Sequence, residues 1–239
     1  MTLVVENVKK RFNENIVLDG INVTIKQGEF VCILGKSGCG KSTLLNLLAG
    51  FTKPTEGTIK VKGKLIDKPS KERGLVFQEH ALFPWQTVLE NISFGPSIQG
   101  LSKIEAMEKA KKYLKLIHLE EYENHFPSQL SGGMKQRVGI ARALAGEPDF
   151  LLMDEPFGAL DIFTKKHMQN ELITIWKELK PTIIFITHDI SEAIYLADRI
   201  IVLKEGAISN EYLVNLNRPR QYFDEKFGNL AAEIEKTIL

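Results

Sequence analysis

The run Gly35-Lys36-Ser37-Gly38-Cys39-Gly40-Lys41-Ser42 constrains this chain more than any other feature. It satisfies G-x-x-x-x-G-K-[ST] between an apolar strand pattern, Phe30 to Leu34, and a helical pattern, Lys41 to Ala49. The glycines let the backbone wrap closely enough for its N–H groups to turn inward on phosphate oxygens. The helix behind them adds its positive N-terminus. Gly35, Lys36, Ser37, Gly38, Cys39 and Gly40 make the wrap. Lys41 is placed for the β- and γ-phosphates, Ser42 for a hydroxyl bond to Mg²⁺ and Thr43 for the α-phosphate. Nucleotide binding follows; the kind of nucleotide enzyme does not, because kinases, GTPases and motor ATPases share this loop.

A second run, Phe150-Leu151-Leu152-Met153-Asp154-Glu155-Pro156, has the form of a buried parallel strand whose carboxyl end faces ligand. Asp154 is expected to hold Mg²⁺ through its water shell, and Glu155 is the candidate general base toward an attacking water. His188 follows the apolar run Phe185-Ile186-Thr187 and is expected on the same sheet edge, within reach of a γ-phosphate. Gln78, ending Leu75-Val76-Phe77, is placed similarly, with an amide for Mg²⁺ or for the water. Each of these alone is an ordinary strand end; together with the loop they form a constellation.

Around these motifs the pattern changes. Leu3 to Val8, Ile21 to Ile25, Phe30 to Leu34 and Thr58 to Val61 read as strands. From about Val88 to Ala145 the strand pattern fades, and Ile104, Met107, Leu114 and Ile117 recur at helical spacing behind Ser102 as N-cap. Strands return at Phe150 to Met153, Thr182 to Ile186 and Ile200 to Leu203, alternating with helices near Ile162 to Leu179 and Ile190 to Leu196. That alternation predicts a parallel sheet with helices on its faces. Phe223, Phe227, Leu230, Ile234 and Ile238 predict an amphipathic tail helix from about Arg220.

Leu130-Ser131-Gly132-Gly133-Met134-Lys135-Gln136-Arg137 resembles the signature of the ABC transporter ATPases, and it stands between the helical insertion and the acidic strand, as in that family. The resemblance spans nearly the whole chain. It implies an α/β fold, a P-loop NTPase (RecA-like) core with a mostly parallel sheet, an N-terminal antiparallel β subdomain and an inserted helical subdomain. Residues 1–78 and 146–213 would form the core, 79–145 the signature subdomain and 214–239 the tail. It further implies that Phe12 stacks on adenine, that Gln78, Asp161 and His188 belong to the family's Q-loop, D-loop and switch positions, and that Ser131, Gly132 and Gly133 cover the γ-phosphate of a second subunit in a head-to-tail homodimer. Ser131 itself reads as the N-cap of a helix from Met134 to Leu144, and such an N-terminus favours an anion.

The stretches Val76 to Trp85 and Asp154 to Asp161 are similar to importer ATPases of the nitrate, sulfonate and taurine group, which includes relatives for thiamine precursors. Lys165 and the turn Lys204-Glu205-Gly206-Ala207 depart from the usual pattern and weaken any inference about solute. The resemblance implies ATP and Mg²⁺ as ligands, membrane permease subunits as partners, and indirectly a secreted solute-binding protein. Phe83, Pro84 and Trp85 are either core or the groove that receives a permease helix.

Composition narrows the rest. A formal charge of +1 provides no general drive toward nucleic acid or anionic lipid. No window reaches the ~18 apolar residues of a membrane span, and no signal peptide is evident, so a peripheral place at the cytoplasmic face is expected. A non-transport ABC ATPase would carry long heptad arms or two cassettes, and a small-molecule kinase has no use for the signature. Of the two cysteines, Cys32 sits in an apolar strand and is expected to be inert. Cys39, near Lys36, Lys41 and a helix N-terminus, is expected to have a lowered pKa and to be reactive, unless its thiol is only a filler pointing away from ligand.

Overall fold

The structure, a computed structural model, describes residues 2–79 and 81–238. His80, within the stretch quoted above, lies outside them. In chain order the elements are β1 (Thr2–Phe12), β2 (Asn15–Lys26), β3 (Phe30–Leu34), α1 (Lys41–Ala49), β4 (Glu56–Val61), β5 (Lys64–Leu65), β6 (Arg73–Val76), α2 (Val88–Ile98), α3 (Lys103–Leu116) and α4 (Gly132–Ala145). They continue with β7 (Phe150–Asp154), α5 (Ile162–Leu179), β8 (Thr182–Thr187), α6 (Ile190–Leu196), β9 (Arg199–Lys204), β10 (Ala207–Leu213) and α7 (Glu225–Ile238). They fall into two compact units: residues up to Ser70 together with those from Thr182, and Lys71–Pro181.

In the first unit β1 and β4 are the inner strands of an antiparallel sheet of order β2-β1-β4-β5. Strand β3 pairs parallel with both β8 and β9, and β10 closes antiparallel on β9. Every residue of β3 and β8 is buried, which explains their unbroken apolar sequences: helices or a second sheet cover both faces, so no polar alternation survives. The α/β class and the antiparallel N-terminal sheet are as expected.

The β1–β2 hairpin is longer than its apolar pattern. Beyond Val8 the strand carries Lys9, Lys10 and Arg11, yet the ladder continues through Lys10↔Leu18 and Arg11↔Ile16 to Phe12↔Asn15. On its β1 side this arm is held by backbone pairing and polar contacts, Lys10 donating to the Lys53 carbonyl and the Arg11 amide to Thr55 Oγ1, so hydrophobic alternation does not reveal it. In α7 only Phe227 and Ile234 are fully buried, and the helix begins at Glu225. Phe223, counted in the tail stripe from sequence, is outside the helix and wholly exposed.

In the second unit β6 and β7 pair parallel, with Val76 opposite Met153. Helices α2 and α3 open on reciprocal capping boxes, Thr87 with Glu90 and Ser102 with Glu105, so each satisfies two end groups at once. The expected N-cap at Ser102 is therefore present, but the buried stripe of α3 is Ala106, Ala110 and Leu114. Ile104 lies off that stripe and is exposed, while the face toward α2 and α4 carries two alanines and Leu114.

Candidate nucleotide site

The phosphate loop leaves β3 and enters α1 through Gly40, whose φ of 106° is open to glycine and strained for any other residue. No side chain caps α1, so the amides of its first turn are uncovered by a cap. Lys41 is buried, and its ammonium turns back to donate to the carbonyls of Gly35 at 2.8 Å and Lys36 at 3.0 Å. The glycines are also dictated from outside. A Cβ on Gly35 would lie 2.3 Å from the Leu203 carbonyl oxygen, and one on Gly40 would lie 2.7 Å from Leu18 Cδ2.

Leu18 belongs to β2, so the arm that carries Phe12 is packed directly against the loop. Phe12 itself is 47% exposed, with the Lys10 ammonium 4.9 Å from its ring centroid. An exposed ring at the end of a hairpin offers a flat apolar face for a base. His188 reaches the same level by strand register: Thr187 on β8 lies opposite Leu34 on β3, so His188 and Gly35 both emerge one residue beyond that pair.

Cys39 differs from the sequence expectation. Its sulfur packs toward Gly35, where an added Cβ would meet Sγ at 2.6 Å. Burial pushes the thiol pKa up, and the nearby Lys41 charge and backbone amides offset this only in part. The filler alternative is the one the geometry favours. Cys32 is fully buried and its pKa is pushed well up by burial, as expected.

The acidic candidates lie in the second unit. Asp154 ends β7, and Glu155 turns the chain with φ of 42°, a left-handed conformation uncommon for a glutamate. The Glu155 carbonyl accepts from the Gly158 amide at 3.0 Å, closing a tight turn. Gln78 lies against that turn: a Cβ on Gly158 would be 3.3 Å from Gln78 Nε2. Strand pairing and this contact therefore bring Gln78, Asp154 and Glu155 to one edge.

Ser131 caps α4, its Oγ accepting from the Met134 amide at 3.3 Å. The helix starts at Gly132 and not at Met134 as the glycines suggest, so both glycines belong to its first turn. Gly133 has a packing reason, since a Cβ there would stand 2.7 Å from Thr164 Cγ2. Thr164 is in the first turn of α5, which Asp161 caps by accepting from the amides of Phe163 and Thr164. The Thr164 hydroxyl, followed by these amides, lowers the Asp161 pKa. In the same unit, Phe83 packs on Phe94 at 4.5 Å and Trp85 at 5.7 Å between ring centroids, with the Arg142 guanidinium over Phe83. Trp85 remains 71% exposed, which excludes the core alternative for that residue.

Sequence reasoning missed Gly206. Its amide donates to the Cys39 carbonyl at 3.2 Å, and its carbonyl accepts from the Asp19 amide at 2.9 Å, so it joins the phosphate loop to β2. A glycine after an acidic residue in a hairpin turn was the available clue.

A phosphate-binding loop between a buried parallel strand and an uncapped helix defines a P-loop nucleotide-binding protein. The ABC transporter family model matches residues 18–158. The aliphatic sulfonates import ATP-binding protein of Bacillus cereus is 45% identical over 245 residues, covering 100% of this chain and 95% of that protein. The nitrate import ATP-binding protein of Synechocystis is 51% identical over 203 residues, covering 84% and 76%. Among solved structures, the ATP-binding cassette MJ0796, a dimer in a post-hydrolysis state with ADP and Pi, superimposes with a TM-score of 0.76 at 37% identity, covering 90% of this chain and 100% of that one. The chain belongs to the ABC transporter family and is its ATP-binding, ATP-hydrolysing cassette.

Proposed function

We propose that this chain powers import of a small anionic solute of the nitrate or sulfonate kind, as a homodimer seated on separate membrane permease subunits. A secreted solute-binding protein would deliver the cargo. The carrying observation is that the chain has, besides the uncapped phosphate loop, a second helix N-terminus at α4, where the Ser131 cap and Gly132 are exposed and Gly132 has no side chain to cover it. One chain needs only the first for its own nucleotide, so the second suits the nucleotide of a partner copy. No helix among the described residues is long and apolar enough to cross a membrane, which fits a peripheral subunit at the cytoplasmic face. The functional division that accompanies this reading is a core of 1–78 and 146–213, a signature subdomain of 79–145 and a tail of 214–239.

In this reading Phe12 stacks on adenine, the amides of Gly35 to Ser42 hold the phosphates, Thr43 adds a contact to the α-phosphate, and Lys41 neutralises the β- and γ-oxygens. Ser42, Asp154 and Gln78 are oxygen donors of hydroxyl, carboxylate and amide type, the hard set that suits Mg²⁺ beside phosphate, and these residues would hold it. When bound, the ion would neutralise charge on the phosphates. Glu155 accepts the proton of the attacking water, Gln78 orients that water, and His188 donates to the γ-phosphate. Ser131 to Gly133 of the partner copy close the site from the far side, and Asp161 holds the adjoining turn. Closure on ATP and reopening after hydrolysis would move the permease through the groove at Phe83 and Trp85.

Complementation tests the shared site. Ser131→Arg and Lys41→Ala subunits should each be inactive alone, and mixing them should restore one intact site per mixed dimer. No recovery in a mixture shown to contain mixed dimers would contradict the composite arrangement.

A further inference from the structure

Helix α6 is short; its start is held by a local brace and its end by groups from further along the chain. At its start the Asp189 carboxylate accepts from the Glu192 amide at 3.1 Å. The Thr187 hydroxyl donates to the buried Glu192 carboxylate and accepts from the Asp189 amide at 3.0 Å. His188 sits between Thr187 and Asp189, so both of its chain neighbours are fixed by this brace.

The other end is more unusual. The carbonyls of the last helical turn have no intrahelical partner and must be satisfied from outside. Here two arginines 22 to 26 residues downstream take them. Arg220 is 5% exposed and donates through Nη1 to the carbonyls of Ile194 at 2.6 Å, Tyr195 at 3.2 Å and Ala197 at 2.6 Å. Its Nη2 and Nε donate to Val214 and Leu216, at 3.2 and 3.1 Å. Arg218 takes the Leu196 carbonyl and pairs with Asp198. Tyr222 stacks on Tyr195 at 5.0 Å between centroids. All of these Arg220 hydrogen bonds go to backbone carbonyls, so what the guanidinium stabilises is the shape of the chain around it. Only a planar group with five donors can do this; an ammonium reaches fewer carbonyls.

We propose that Arg220 is a positioning residue for His188, acting through α6: it pins the far end of the helix whose near end sets the histidine. The segment after β10 would thereby take part in hydrolysis without touching nucleotide. This rests on the reading of His188 as the γ-phosphate donor, and on the general sensitivity of catalysis to displacements of an ångström or less.

The test uses the 239-residue chain with its five histidines labelled for NMR. His188→Ala identifies the His188 imidazole resonance. Arg220→Lys should shift or broaden that resonance and leave those of the other histidines in place. It should lower kcat by about tenfold with KM for ATP changed by less than about twofold. Combined with His188→Ala, it should slow turnover no further. An unmoved His188 resonance, or an equal loss of turnover in the His188→Ala background, would overturn the proposal. Wild-type turnover in His188→Ala would instead defeat the reading of His188, while the resonance still judges the positioning claim. Should Arg220→Lys fail to fold, Arg218→Lys, which weakens the same clamp, goes through the same series with the same deciding outcomes.

Discussion

Gly206 donates its amide to the carbonyl of Cys39, which ties the β9–β10 turn to the phosphate loop. Its φ is 79°, and an added Cβ would lie 2.6 Å from the Val17 carbonyl oxygen. Gly206→Ala therefore meets both backbone strain and a clash with main chain. We expect a loss of about 2 kcal/mol of stability, or a fall in thermal midpoint of about 4–8 °C. ATP affinity should fall as well, because the loop loses its anchor. Thermal unfolding with and without nucleotide measures both, and an unchanged midpoint would show that the turn can yield.

Cys39 should alkylate slowly. Burial raises its thiol pKa, so at pH 8 it carries less thiolate than a free cysteine, and its rate should climb with pH beyond the range where a free thiol levels off. A folded pKa above the unfolded one also means that this group's contribution to stability is present below the unfolded value and is lost as pH rises through the folded one. MgATP should slow labelling further. Rapid labelling at pH 7, mapped by mass spectrometry, would show that the sulfur is not packed toward Gly35.

Glu155→Gln keeps the shape and the left-handed turn while removing the proton acceptor. Hydrolysis should fall by about 10²–10⁴ with ATP affinity retained, and an ATP-bound dimer should accumulate on size exclusion with Mg²⁺. Near wild-type turnover would remove Glu155 as general base.

Trp85 is exposed, so Trp85→Ala should change stability by no more than about 0.5 kcal/mol and spare the ATPase activity of the isolated chain. Binding to the permease should weaken, since a large aromatic in a groove is a typical anchor. Co-purification with the membrane subunits is the measurement; unaltered binding would place the contact elsewhere.

The loop, β3, β7 and β8 were legible because their sequences carry two independent constraints, apolar burial on both faces and a polar motif at the carboxyl end. The N-caps at Ser102 and Ser131 were legible because capping is local. The outer arm of the β1–β2 hairpin and the edge strand β10 were not, because their ladders carry little buried apolar surface: β1 buries nothing beyond Val8 and β10 buries only Tyr212. The true start of α4 was hidden for a related reason. Two glycines argue for a loop until the contact of Gly133 with Thr164 shows that glycine is there to admit a neighbouring helix. Cys39 shows the same limit: sequence places positive charges beside the thiol, but only the fold places Gly35 beneath it.

Gly35 and Gly40 face crowded protein neighbours, the Leu203 carbonyl and the Leu18 side chain. A library of variants sorted only for soluble cellular abundance, with no demand on transport or ATP turnover, should therefore already exclude substitutions at both positions. Gly38, whose added Cβ would meet nothing within 4 Å, has only its φ of 82° to restrict it, and asparagine tolerates that conformation best. Gly38→Asn should survive the abundance screen and be lost only when growth on the imported solute is required. The gap between the two screens would separate what the loop owes to its scaffold from what it owes to its ligand.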